Sequence, residues 1–121
     1  RDSHDDAVRT SALRWLATYA NVPGILGTVR SYTARGRERN LRVLAVSLLA
    51  KHWPTEDVLE HIAGLLEDPV FHVRRAAIEA LGNAGHEDSL EPLRRRLATE
   101  PNPRLLQAIR ETIQKIEEKN K

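Results

Sequence analysis

The stretch Asp68-Pro69-Val70-Phe71-His72-Val73-Arg74-Arg75-Ala76-Ala77-Ile78-Glu79-Ala80-Leu81-Gly82 decides the fold. An acid followed by proline is a helix entry signal, combining an N-cap acceptor with a residue suited to the first helical position. Val73, Ala77 and Leu81 then fall at i, i+4 and i+8, with Ala76 and Ala80 beside them, so one face of a helix is apolar. Gly82-Asn83-Ala84-Gly85 supplies the material for a left-handed cap and a tight turn. The spacing predicts a helix over 70–83.

The pattern from Val73 to Leu81 recurs along the chain. It stands 32 residues upstream as Leu41-Arg42-Val43-Leu44-Ala45-Val46-Ser47-Leu48-Leu49, and 33 further upstream as Val8-Arg9-Thr10-Ser11-Ala12-Leu13-Arg14-Trp15-Leu16. Thirty-two residues downstream it is Leu105-Leu106-Gln107-Ala108-Ile109-Arg110-Glu111-Thr112-Ile113. The first and ninth positions are aliphatic in every copy. The second is Arg in three copies, and the fifth is Ala in three and Ile in the last. Partner helices lie between these copies, marked by Ile25, Leu26 and Val29, by Val58, Ile62, Leu65 and Leu66, and by Leu90, Leu93 and Leu97. Pro23 and Pro54 precede two of them, where a proline breaks no helical hydrogen bond. Pro101 and Pro103 mark the entry to the last helix. No window alternates with period two for long enough to suggest a strand. The expectation is all-α, with helices over roughly 5–20, 22–34, 38–52, 55–67, 70–83, 87–99 and 103–119 in one domain, 1–121. They form about three helix pairs and a C-terminal capping helix.

The run 68–82 resembles the short HEAT repeat, of the class also called PBS-lyase HEAT-like. The tetratricopeptide and ankyrin patterns do not fit: Thr-Pro-Leu-His is absent, and Trp15-Leu16-Ala17 imitates a tetratricopeptide unit only once. The likeness covers nearly the whole chain and is weakest over 20–39. Gly36 and Ser3 stand where Asp68 stands in its own unit. The resemblance implies a right-handed α-solenoid, an armadillo-type superhelix, and it implies that Asp68 and Arg74 belong to a polar ladder between neighbouring helices. The segment 68–116 is also similar to the HEAT-like C-terminal domain of prokaryotic zinc aminopeptidases of the aminopeptidase N kind. No catalytic residue carries over, because nothing here matches their H-E-x-x-H motif.

The two ends of the array differ. Over 103–119, Leu105, Ile109, Ile113 and Ile116 make one narrow stripe, and Arg110, Glu111, Gln114, Lys115, Glu117 and Glu118 cover the other faces. That is a good cap. In the first helix Val8, Ala12 and Leu16 repeat the stripe, but Ala7, Leu13, Trp15, Tyr19 and Ala20 spread apolar character over most of the circumference. Either Trp15 and Tyr19 plug the end of the core, or this face docks on a preceding domain. The chain contains no methionine, even at position 1. With the apolar first helix, this leads to the expectation of a C-terminal module of a longer protein.

Chemistry-bearing patterns are sparse. There is no cysteine, so disulfides, thiolate metal sites and a Cys nucleophile are excluded. His4, His52, His61, His72 and His86 form no i, i+4 pair with a carboxylate in ligand spacing. His86-Glu87 opens like H-E-x-x-H, but Leu90 stands where the second ligand belongs. Glu56-Asp57 and Asp5-Asp6 sit at helix starts, where the helix dipole accounts for them. The expectation is no catalytic residue, no metal and no cofactor in this chain.

Lys and Arg total 19 against 17 Asp and Glu, and the near-balance hides opposed segments. Residues 1–54 carry 9 basic and 4 acidic groups, 55–68 carry none and 5, and 69–121 carry 10 and 8. A nucleic-acid-binding solenoid needs one sign along a groove. Glu56, Asp57, Glu60 and Glu67 interrupt it, although Arg94-Arg95-Arg96 adjoin. Superimposed units place Arg30, Ala63 and Arg95 in register on the outer side of the second helices, with Glu60 nearby. The candidate interaction surface is therefore Trp15, Tyr19, Arg30, Glu60 and Arg95. No stretch approaches the roughly 18 apolar residues of a membrane span, and no signal peptide is visible, which makes the cytoplasm the default. The function expected is a non-catalytic scaffold or protein-interaction module. It would bind a protein partner or a preceding domain, and its parent would be a zinc aminopeptidase. The alternatives are a nucleic-acid-binding HEAT-like protein, which the acidic segment opposes, and a bilin lyase, which no feature demands.

Overall fold

The computed structural model describes the backbone of residues 3–121 and the side chains of residues 7–121. The expectations placed on Ser3, His4 and Asp5-Asp6 lie outside the described side chains. Among the described residues there are seven α-helices and no strand: α1 (Ser3–Ala17), α2 (Ile25–Ser31), α3 (Arg39–His52), α4 (Glu56–Gly64), α5 (Phe71–Ala84), α6 (Leu90–Leu97) and α7 (Pro103–Lys119). None is long and apolar enough to cross a membrane. The helices stack as an α-solenoid. One layer is formed by α1 against α3, α3 against α5 and α5 against α7. In the other, α2, α4 and α6 each pack on the helix that follows, and 3-10 turns at Leu65–Glu67 and Glu87–Ser89 join α4 to α6.

Local chemistry sets the helix ends. Thr55 Oγ1 accepts from the Val58 N–H at 3.3 Å, and Asn102 Oδ1 accepts from Arg104 and Leu105 at 2.9 and 3.3 Å. These side chains satisfy amides that have no helical partner. Gly85 closes α5 at φ +67°, in the left-handed region where a Cβ is unfavourable.

Four expected helices are shorter than the pattern suggests. α4 ends at Gly64 rather than 67 and α6 spans Leu90–Leu97 rather than 87–99, with the 3-10 turns at Leu65–Glu67 and Glu87–Ser89 in place of the missing α-helical turns. α1 and α2 are cut back by local hydroxyl bonds. α1 stops at Ala17 rather than continuing to 20, because Thr18 Oγ1 donates to the Trp15 carbonyl at 2.6 Å and the chain turns through successive i→i+3 bonds. α2 spans Ile25–Ser31 rather than 22–34. It starts after Pro23-Gly24, and Ser31 and Thr33 hydroxyls take the Thr28 and Arg30 carbonyls at 2.7 and 2.8 Å. Hydroxyls bonded to nearby backbone compete with helix continuation. At the entry to α5, the cap position is Val70, which has no capping side chain, rather than Asp68. Asp68 instead closes the preceding turn, its Oδ1 accepting from the Val70 N–H at 2.9 Å.

The core runs along the interior of the stack. It includes Leu41, Ala45, Val46 and Leu49 of α3, Ala77, Ile78 and Leu81 of α5, and Leu105, Ile109 and Ile116 of α7, with Val29, Ile62 and Leu93 from the other layer. The stripe expected on α1 is displaced. Leu13 and Ala17 are buried, whereas Val8 and Ala12 are exposed and Leu16 is half-buried. Leu13 and Ala17 occupy the register positions of Ile78 and Gly82, the side of α5 that meets α7; a Cβ on Gly82 would stand 3.1 Å from Thr112 Cγ2. A terminal helix buries only the side facing the next unit.

Candidate interaction surfaces

The face of α1 away from α3 is apolar and uncovered. Val8, Trp15, Tyr19 and Val22 are the exposed large apolar residues, with Trp15 61% exposed. Trp15 and Tyr19 pack edge to face with ring centroids 4.9 Å apart, so they form one platform rather than two isolated side chains. The register positions of Val8 are Leu41 in α3 and Val73 in α5, both buried, and those of Trp15 are Leu48 and Ala80, both buried. The same face that receives a neighbour elsewhere in the stack is open on α1. Trp15 and Tyr19 therefore do not plug the end of the core.

The second surface is a cleft of ≈ 650 Å³ between α4 and α6. Leu59, Ala63, Leu66 and Pro92 supply its apolar lining, and Glu56, Glu60, Glu67, Asp88 and Arg95 its charges. Arg95 is tied to Glu91 at 2.9 Å and Glu67 to Arg96 at 2.9 Å. Glu56 and Glu60 have no ion-pair partner among the described residues. His86 and Ser89 also line the cleft, but no hydrogen bond joins the hydroxyl to the imidazole. His86 Nδ1 instead accepts from the Asp88 N–H at 3.1 Å. No nucleophile–base pair is assembled there. Among the described residues, no three His, Asp or Glu side chains gather where a metal could sit.

Between the layers runs a chain of buried ion pairs. Both Arg42 Nη atoms donate to the Asp68 carboxylate, and Nε donates to the Thr33 carbonyl at 2.9 Å. One unit later Arg74 Nε and Nη2 donate to Glu100 at 2.9 and 3.2 Å, while Nη1 donates to the Asp68 carbonyl at 3.1 Å. Burial opposes ionisation of Asp68 most strongly, yet the Arg42 and Val70 hydrogen bonds, with the Arg42 and Arg35 charges, outweigh it and hold its pKa below the ordinary value. Glu100 is lowered likewise: burial opposes, and the Asn102 N–H, Arg74 and Arg96 prevail. Each pair spans 26 residues, so the ladder keeps the period of the fold. With the repeat geometry established, a family model described as HEAT repeats matches residues 28–114. The chain belongs to the HEAT-repeat family. No curated protein and no solved structure gives a significant match.

In this HEAT array the sequence-derived candidates fall into separate places. Trp15 and Tyr19 stand together at the α1 end. Glu60 and Arg95 meet in the α4–α6 cleft, but Arg30 does not line it; its Nη1 pairs with Asp57 Oδ2 at 3.0 Å. Asp68 and Arg74 lie in the buried ladder, not on a surface. Sequence reasoning missed Glu100, Arg96 and Ser89. The signal for Glu100 was present: Glu100-Pro101 repeats Asp68-Pro69 one period later, with Glu in place of Asp. His61 is half-buried, its Nε2 2.8 Å from Thr33 Oγ1. Burial, then the Arg30 charge, lowers its pKa against the opposing pull of Asp57.

Proposed function

We propose that this HEAT-repeat chain is a non-catalytic protein-interaction scaffold, and that the open face of α1 receives a helix of another protein domain, covalently joined or separate. The single observation that carries this is the exposure of Val8 and Trp15 at register positions buried in α3 and α5. A helix laid on α1 as α1 is laid on α3 would continue an interface the molecule already repeats, burying the Trp15–Tyr19 platform. Large aromatic side chains of this kind are the usual anchors of protein interfaces. The finer version places the scaffold in the cytoplasm, beside the catalytic domain of a zinc aminopeptidase; it is supported only by the likeness over 68–116.

Alone, the chain is expected to be monomeric or to self-associate weakly through α1. Sedimentation velocity over a concentration series tests this with Trp15→Glu, which should abolish association and leave the helical circular dichroism intact. Unfolding of that variant would instead make Trp15 a core residue and remove the docking face. Metal-dependent peptidase turnover by the chain with added zinc would overturn the scaffold reading. Coding sequence upstream of Arg1 that carries H-E-x-x-H would support the aminopeptidase version, and its absence there would end it.

A further inference from the structure

We infer that the cleft between α4 and α6 docks a basic, extended peptide segment of a protein partner. This rests on the interaction-module reading but concerns a different surface from the α1 face. The segment 55–68 carries five acids and no base, and the fold turns part of that run into one wall of a cleft. Glu56 and Glu60 lie one helical turn apart on α4, exposed and without an ion-pair partner among the described residues. Asp88 adds negative charge from the opposite side. Between these walls the lining is apolar, so the cleft offers contact area as well as charge. Its ≈ 650 Å³ is within the range of about 300–1,000 Å³ typical of ligand clefts.

Ser89 is the observation independent of charge. It is only 4% exposed and lines the cleft, and its hydroxyl makes no hydrogen bond among the described residues. Among the described residues no buried side-chain nitrogen or oxygen is sealed off without a partner, so the Ser89 Oγ, in a residue that lines the cleft, is not fully closed off. A buried hydroxyl left open in this way is a donor and acceptor waiting for a group from outside. A main-chain carbonyl or N–H of a bound peptide supplies it. An extended peptide would then place one apolar side chain against Leu59, Ala63 and Pro92, and Lys or Arg residues against Glu56 and Glu60. Arg95, tied to Glu91, sets a positive limit to the basic segment at one edge, while Glu56 and Glu60 disfavour acidic segments. The sign of the walls also disfavours nucleic acid, which needs basic contacts to phosphate.

The test uses the full chain and a fluorescein-labelled heptapeptide, Lys-Arg-Lys-Leu-Lys-Arg-Lys, followed by anisotropy, with a Glu-for-Lys/Arg counterpart as control. The basic peptide should bind and the acidic one should not, and binding should weaken with added salt. The Glu56→Gln/Glu60→Gln double variant should lose about fivefold or more in affinity, and Arg95→Glu should gain about twofold. Gly64→Trp fills the cleft from an exposed helical position with nothing within 4 Å of its Cβ, so it should abolish binding without unfolding the chain. Glu79→Gln, on the other layer, should bind as wild type. Full binding by Gly64→Trp, equal binding of the two peptides, or equal losses in Glu79→Gln and the double variant would each overturn the proposal. Trp15→Glu should bind the peptide normally, so a failed cleft and a failed α1 face give different results.

Discussion

The first and last helices of the stack solve the same problem in opposite ways. Each has a neighbour on one side only. At the positions that face a following unit, where α1 carries Leu13 and Ala17 and α5 carries Ile78 and Gly82, α7 carries Arg110 and Gln114, both exposed. Its surface is rewritten for water while Leu105, Ile109 and Ile116 hold it to α5. α1 is not rewritten: Val8 and Trp15 stay apolar where α3 and α5 receive a neighbour. An array that must end in a polar cap has one at α7 and none at α1. The ladder shows the same asymmetry. Arg42 and Arg74 have buried carboxylates, whereas Arg9, in the same register, is exposed, and Gly36 stands where its acid would be.

The sharpest way to break the comparison is through the ladder. Asp68→Ala leaves the buried Arg42 guanidinium without its carboxylate, and removing one member of a buried pair costs about 3–5 kcal/mol. Arg9→Ala should change stability by less than about 0.5 kcal/mol, as surface substitutions do. Urea denaturation of both variants makes the contrast direct; similar losses would mean that α1 takes part in the ladder after all. Next in size is the core. Ile109→Ala empties a fully buried site in α7 and should cost about 2–5 kcal/mol, while Val8→Ala, more than half exposed, should cost little. A large loss for Val8→Ala would show that α1 is covered in solution. At the α5–α6 turn, Gly85→Ala forces a Cβ onto φ +67° and brings it against the Lys119 side chain. Lys119 can swing aside, so the backbone term dominates, and a loss of about 1 kcal/mol in the same denaturation experiment is expected.

What was legible in the sequence follows from this asymmetry. Central units are constrained on both sides, so Val73, Ala77 and Leu81 in α5, with Ala45 and Leu49 in α3, are buried where the period puts them. The helix over 103–119 also has the expected limits, because Pro103 and Asn102 fix its start chemically. The period misleads at α1, where copying the central stripe onto Val8, Ala12 and Leu16 presumes a neighbour that the chain does not supply. Helix limits fail at Thr18 and Thr33, where a single hydroxyl bond redirects the chain without changing the apolar pattern. The cleft was half visible. The acidic run and the register of Ala63 with Arg95, with Glu60 nearby, were there to read, but Ser89 lies in a 3-10 turn outside any stripe, and only tertiary packing brings it beside α4.

The mildest expected effect is a difference in pH response between the two ends. His61 joins α4 to the carbonyl end of α2 through Thr33, and its pKa is lowered, chiefly by burial. The unfolded chain binds a proton there near the ordinary histidine value of 6.5, whereas the folded chain resists it. That contribution is complete above about pH 6.5, the ordinary value for histidine, and is lost as pH falls through the folded value. Asp68 and Glu100 are also lowered, from the ordinary carboxylate values of 3.8 and 4.5, so their contribution persists until the pH drops through the carboxylate range. Mild acid should therefore loosen the α2–α4 contact while the ladder on either side of α5 remains intact. Amide hydrogen exchange between pH 7 and 5, corrected for the intrinsic rate, should show protection falling first in α2, with α5 and α7 unchanged. His61→Gln keeps a hydrogen-bonding group beside Thr33 but cannot titrate, so its protection in α2 should not fall over that range. Equal loosening of α2 and α7 in the wild type would place the acid-sensitive element in the ladder instead.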